Sequence, residues 1–387
     1  MGGGVCAKLL PLIFSPTGFF LISWYLVGFY KPDAMTYSQI FALLCAATFL
    51  MVLPARLMAQ RTCGFDAQVA RIQAQDPGFD LRRAEIQRQI DQVIAQGGAA
   101  QGQRTVYRIP VVVHIIYNTA AQNLPDAQVF SQIDVLNEDF RRLNADTVAT
   151  PLPFKGVAAD TEIEFCLATL DPNGLPTTGI TRTETTITTF SGDDMKADAT
   201  GGKDPWPRTE YLNMWVCGLG GGLLGFSSPL GAPASEDGVV IGHEYFGRVG
   251  NLDPSFDMGR TATHEVGHWL GLDHPWGGGG CSSDDNINDT PMQDGPNFGC
   301  QTFPSISCSN GPDGDMFMNY MDYSDDICFN IFTQGQTAVM RALFAPGGLR
   351  APILNSGACG PFFFDDAGIL AINGPSGTLC GGNISPP

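Results

Sequence analysis

The chain has 387 residues, a formal net charge of -18, a pI near 4.5 and eleven cysteines. That length has room for one domain of about 250 residues plus extensions. The acidity argues against nucleic acid and anionic membrane surfaces as partners, and the cysteines point away from a reducing cytosol toward an oxidising compartment.

In chain order, residues 1–60 hold two apolar runs. Leu9 to Tyr30 is about 22 residues long, enough to cross a bilayer. The shorter run Ile40 to Leu53 follows Met35 and ends in LPARLMAQ, where Ala59 can precede a cleavage point. The region therefore reads as a signal peptide starting at Met35, with a membrane anchor as the alternative. Residues 61–103 are polar and helix-friendly. Val69, Ile72, Leu81, Ile86, Ile90 and Ile94 recur at helical spacings, and GGAAQGQ then reads as a flexible linker.

YRIPVVVHIIY (Tyr107 to Tyr117) is a nearly continuous apolar, β-branched run, as expected of a strand covered on both faces, with His114 as a hydrogen-bonded core residue. Val129, Ile133, Leu136 and Phe140 predict a long helix capped by Asp126 or its neighbours. Two strands follow, Glu162 to Thr169 and Tyr211 to Cys217, separated by a Thr-rich and Gly-rich excursion. Cys166 and Cys217 either pair or stay buried thiols. GLGGGLLGF (Gly218 to Phe226) lacks the Lys-Ser/Thr and the helix of a phosphate loop, and is predicted as a mobile rim or loop. GVVIGHEYFG (Gly238 to Gly247) is predicted as a short strand, with His243 and Glu244 left to surface or local hydrogen bonding.

The chemistry concentrates in THEVGHWLGLDHPW (Thr263 to Trp276). On a helix, His264 and His268 lie one turn apart on one face, spaced for a single ion. Val266, Trp269 and Leu270 supply an apolar face, and Gly271 supplies a left-handed turn that sends the chain back to deliver His274. Three imidazoles suit zinc and leave a fourth position for water, the mark of a catalytic site. Glu265, about 100° round the helix, is placed to take a proton from that water and hand it to a leaving amine.

After this helix the regular pattern stops. Asp284, Asp285, Asp289 and Asp294, with Asn286, Asn288 and the Thr290 carbonyl, form an oxygen-rich loop of the kind calcium needs, with Asp285 and Thr290 the favoured ligands and Asn288 a weaker one. A solvated acidic loop is the plainer alternative. Thr333 to Phe344 is predicted as a final helix with Thr333 as its cap.

HEVGHWLGLDH resembles the metzincin signature HExxHxxGxxH, and the text around it, from about Arg104 to Cys359, resembles the pappalysin-like family. The resemblance implies an α/β (α+β) fold: a twisted five-stranded mixed sheet with an active-site helix, followed by an irregular, disulfide-braced subdomain. It makes MNYMDYSDD (Met318 to Asp326) a Met-turn, with Met321 beneath the imidazoles and Tyr323 stabilising the oxyanion. It makes Gly238 to Gly247 the antiparallel edge along the cleft, and it implies disulfides Cys281 to Cys308 and Cys300 to Cys328. Arg61-Thr62-Cys63-Gly64 resembles the family's RxCG pro-segment motif, in which the cysteine binds zinc as thiolate and keeps the enzyme latent; a disulfide partner or lone thiol is the alternative. Activation would then cut near Arg104. Relatives that favour a basic residue after the scissile bond carry an acid just before the cysteine that follows the Met-turn. Here Ile327 stands there, behind Asp325 and Asp326, which puts that preference in doubt.

The expected organisation is a signal or anchor region at 1–60, a pro-segment at 61–103, an upper catalytic subdomain at 104–274, a lower one at 275–359, and a linker or further module at 360–387. The expected protein is a secreted, zinc-dependent endopeptidase made as a zymogen, with structural calcium and with proteins or peptides as substrates. A membrane enters only if the first apolar run is retained. The rivals are an inactive zinc-bearing binding module and a membrane-anchored protease.

Overall fold

The computed structural model describes residues 62–97 and 105–360. The expected signal or anchor region, the linker from residue 98 and the tail from residue 361 lie outside these residues. Among the described residues, no helix is long and apolar enough to cross a membrane.

The sheet is built around β2 (Tyr107–Tyr117), whose Ile109, Val111, Val112, Val113 and Ile115 are fully buried, as its unbroken apolar run requires. β2 is long enough to pair on one side with two shorter strands in succession. Tyr107–Val111 run parallel to β3 (Ile163–Leu167), and Val113–Tyr117 run parallel to β4 (Ile180–Glu184). On the other side lie β5 (Leu212–Cys217), then β7 (Val239–Gly242), both parallel, then the antiparallel β6 (Leu223–Ser227). The strand β1 (Thr62–Cys63) adds to the outer edge of β6 in parallel. The result is a mostly parallel mixed sheet with five strand positions in the catalytic part and a sixth supplied by the segment before it.

The Gly-rich stretch is not all rim: Gly221 and Gly222, at φ +70° and +78°, make the turn, and Leu223 onward is a strand. A Gly run masks a strand in sequence, yet one is needed at Gly225, where a Cβ would sit 2.7 Å from the Val240 carbonyl and 3.1 Å from Glu265 Cγ. The antiparallel edge is therefore β6, whereas Val239–Gly242 lies inside the sheet with all four residues buried. β4 escaped notice because its pattern, Ile-Thr-Arg-Thr-Glu, is half-exposed and offers no apolar run.

α3 (Asp126–Phe140) and α4 (Arg260–Trp269) cover one face of the sheet, with α1 (Phe65–Gln75) and α2 (Phe79–Ala95) preceding them in the chain. α3 buries Val129, Ile133, Leu136 and Phe140 as its spacing dictates; its N-cap is Pro125, the neighbour of Asp126, whose carboxylate pairs with Arg182. Trp215, Phe190, Met195 and Phe226 form a second core on the opposite face. His114 is fully buried and bonded to Thr181 Oγ1 and Asn213 Oδ1 at 2.8 and 3.1 Å, a core residue with both nitrogens satisfied.

Beyond α4 the chain has little regular structure until α5 (Gln334–Ala342), which opens on a capping box formed by Thr333 and Gln336. Disulfides join Cys281 to Cys308 and Cys300 to Cys328. A third joins Cys166 of β3 to Cys359, so the end of the described chain returns to the sheet, and Cys217 stays a buried thiol. That return is anchored by Arg350, which is buried, bonds both oxygens of Asp237 at 2.7 and 2.9 Å and stacks on Trp269.

Candidate active site

α4 is preceded by Gly259 as its N-cap, held at φ +74°, and all ten of its residues are buried. Gly271, at φ +89°, ends it and reverses the chain. The turn brings His274 back so that His268 Nε2 lies 3.1 Å from His264 Nε2 and 3.0 Å from His274 Nε2. Four ligands at 2.0–2.1 Å around one tetrahedral ion sit about 3.3 Å from one another, so the three rings fit a shared metal.

The far sides of two rings fix the tautomer. His264 Nδ1 donates to the Tyr320 carbonyl and His268 Nδ1 donates to the Leu272 carbonyl, each at 2.7 Å. A carbonyl only accepts, so the proton sits on Nδ1 and the Nε2 lone pair faces inward. Burial, then the neighbouring His274, pushes His264 down to about 3 and His268 well below its ordinary value, so both stay neutral and able to bind a cation.

Met321 is fully buried beneath the cluster. A Cβ on Gly267 would come within 2.4 Å of Met321 Sδ, so the helix needs glycine at that point. Gly267→Ala is expected to cost about 1–3 kcal/mol through overpacking, read as a lower melting temperature with the chain still folded.

Glu265 is buried beside the imidazoles, and burial pushes its carboxyl up to about 8. Cys63 Sγ is 3.5 Å from Glu265 Oε2, and one donor atom from each of Cys63, His264, His268 and His274 falls within a 4.8 Å group. Burial, then the Glu265 charge, raises the Cys63 thiol well above its usual value. The segment around Cys63 covers the rings: Phe65 stacks on His268 at 4.0 Å, and Asp66 lies 3.5 Å from His274 Nδ1 and is held low by that contact. Tyr323 packs edge-on to His274 at 4.9 Å, and its hydroxyl donates to the Cys63 carbonyl at 3.4 Å.

Beside Glu265 opens a pocket whose wall includes Leu224, Phe256, Phe329, Ser324 and Asp326. Asp326 Oδ2 accepts from the Met258 and Arg260 amides, while Asp326 Oδ1 and Ser324 Oγ are buried without a hydrogen-bond partner. Ile327 is 71% exposed and turned out. The acid that reaches the pocket is therefore one residue earlier than the position on which the specificity expectation rested.

The acidic loop does not gather its four carboxylates. Asp289 is taken by Thr333 Oγ1 and the Gly335 amide at 2.7 and 2.8 Å, and Asp284 by the Asn286 amide. Asp285 is buried and bonded to Thr290 Oγ1 at 2.7 Å, its Oδ2 lacks a partner, and burial pushes its carboxyl up to about 7. Asn288 is exposed. His243 is half-exposed and Glu244 exposed, outside the histidine cluster.

A mostly parallel sheet, a helix bearing two imidazoles, a return bearing the third and a buried methionine below them define a metalloprotease of metzincin type. A family model described as Pregnancy-associated plasma protein-A matches residues 196–345. An extracellular metalloprotease of Pyricularia oryzae is 30% identical over 289 residues, spanning 71% of this chain and 88% of that protein. Mature mirolysin of Tannerella forsythia with a cleaved peptide is 51% identical, covering 66% of this chain and 99% of that one, with a TM-score of 0.64. A promirolysin mutant of the same organism is 46% identical over 78% of this chain and all of its own, with a TM-score of 0.71. The chain belongs to the pappalysin metalloprotease family.

Sequence reasoning missed the Tyr320 carbonyl, Gly225, Phe65 and Asp139, the last of which ties α3 to α4. Gly267 stands inside the HExxH motif and was open to view; a backbone carbonyl leaves no trace in sequence.

Proposed function

We propose that this protein is a secreted zinc endopeptidase made as a latent precursor, with His264, His268 and His274 holding the metal. The observation that carries the reading is the convergence of three imidazole Nε2 atoms beside the buried carboxyl of Glu265. Zinc bound there would act as a Lewis acid, making a water acidic and polarising the scissile carbonyl.

This chain's own residues do the rest. Glu265 takes a proton from water as its oxygen attacks the carbonyl carbon, then gives it to the amide nitrogen as the C–N bond breaks. The Tyr323 hydroxyl donates to the carbonyl oxygen as that oxygen gains charge. β6 offers its outer edge to extended substrate backbone, and in the precursor β1 occupies that edge. Cys63 supplies a fourth donor in the latent form. The relatives named extracellular metalloproteases, the three disulfides and the match to a precursor support secretion and latency.

The pocket takes the side chain after the scissile bond. Two buried acceptors without partners, Asp326 Oδ1 and Ser324 Oγ, suit a long side chain ending in donors, Arg or Lys. A peptide-library digest with the activated protein is expected to give new N-termini beginning with Arg or Lys, and a zinc chelator abolishes it. Cleavage that survives complete removal of zinc overturns the enzymatic reading; apolar new N-termini overturn only the specificity.

Calcium belongs at Asp285, Asn288 and Thr290, supported by the partnerless buried Asp285 Oδ2. Stripping divalent ions and restoring zinc alone is expected to lower the melting temperature by roughly 5–10 °C, the effect of losing a ligand at about a hundred times its Kd. Calcium should restore it, and an unchanged melting temperature removes the site.

A further inference from the structure

We propose that Asp139 is a positioning residue for the metal centre, acting on His264 through Tyr320; this rests on the zinc assignment above. Asp139 stands at the end of α3, 3% exposed, remote in sequence from the motif it serves. Its Oδ1 accepts from the Tyr320 hydroxyl at 2.8 Å and from Arg260 Nη2 at 3.4 Å, and its Oδ2 accepts from Thr263 Oγ1 at 2.9 Å. One carboxylate thus grips the residue before the first imidazole and the residue before Met321. The Tyr320 carbonyl in turn holds His264 Nδ1 at 2.7 Å.

A buried carboxylate is costly to desolvate, and an apolar replacement of similar size often stabilises a fold at least as well. Here the charge is balanced by Arg260, which also reaches Asp146 at 2.6 Å and the Asp326 carbonyl at 2.8 Å. What the carboxylate uniquely supplies is geometry: acceptors aimed at two segments that must keep fixed spacing if the His264 ring is to face the other two. Without it, the Tyr320 hydroxyl is buried with no partner at this site, and the carbonyl that orients His264 loses its side-chain tether, leaving the hydrogen bonds of the Tyr320 amide to Ile331 and of the Met321 amide to Asn319.

The test uses the full-length chain and the variants Asp139→Asn, Tyr320→Phe and the double substitution. Zinc affinity is measured by competition with a chromogenic chelator, ligand geometry by the visible absorption of the cobalt-substituted protein, and stability by melting of the metal-free form. Each single variant is expected to bind zinc about 10–100-fold more weakly with an altered cobalt spectrum, and the double variant to be no worse than the more severe single one. Variants that melt earlier while keeping wild-type zinc affinity and cobalt spectrum overturn the proposal and leave Asp139 a purely structural tie. If Asp139→Asn fails to fold, Tyr320→Phe, which deletes one oxygen, decides alone by the same readouts. A wild-type chain that takes up no zinc overturns the metal assignment itself, and this role with it.

Discussion

Glu265→Gln is expected to leave the fold and zinc binding intact while lowering peptide cleavage by about 10²–10⁴-fold, the usual contribution of a positioned general base. Gln has nearly the volume of Glu, so the close fit between Glu265 Cγ and Gly225 is kept. The carboxylate makes a single side-chain hydrogen bond, to Cys63, so its replacement leaves no other side chain stranded. The ligands are untouched because the far nitrogens of His264 and His268 are held by the Tyr320 and Leu272 carbonyls and that of His274 faces Asp66, none of them through Glu265. Zinc content, melting temperature and kcat on one peptide, measured together, check the expectation. A variant that retains zinc and cuts within tenfold of wild type would show that another group moves the proton.

Cys63→Ala is expected to shorten the half-time of precursor activation by about a hundredfold. A four-ligand zinc site contributes about 10–16 kcal/mol, so one ligand is worth roughly 3 kcal/mol, or about two powers of ten. Removing the thiol leaves the rest of the segment docked: β1 on β6, Phe65 on His268, and α2 tied through Arg82 to the Gly231 carbonyl and through Arg83 to Asp273. What is lost is the fourth donor atom of the Cys63, His264, His268 and His274 group, which would leave room for water at a bound zinc before the segment has left. The precursor's conversion to lower mass, followed by electrophoresis and by mass spectrometry of the new N-terminus, measures the change. The same substitution combined with Glu265→Gln should not convert by itself, which separates self-processing from a contaminating protease. An unchanged half-time rejects the thiol as a latency element and leaves it a neighbour of the site.

The histidine motif was legible because it is local. Two imidazoles four residues apart meet on any helix, and a glycine at φ +89° can turn the third toward them wherever the helix sits. The central strand was equally plain, since eleven consecutive residues without alternation fit only a strand covered on both faces. The class of chemistry, the metal and the outline of the fold follow from such short-range regularities.

The edge of the cleft was not legible. Whether Leu223–Ser227 or Val239–Gly242 lines it depends on which strand inserts between which neighbours, and a strand does not carry its partner's identity. The same holds for the Cys166 to Cys359 bridge across 193 residues, for Asp326 rather than Ile327 facing the pocket, and for Asp139 behind Tyr320. Sequence alone determined the paired imidazoles, the glutamate beside them and the helix that presents them, because spacing along one helix is fixed by its pitch. Tertiary structure decided which strand is the antiparallel edge, what lines the pocket beside Glu265 and what backs the first imidazole, because those contacts join residues whose separation along the chain says nothing of their distance in space.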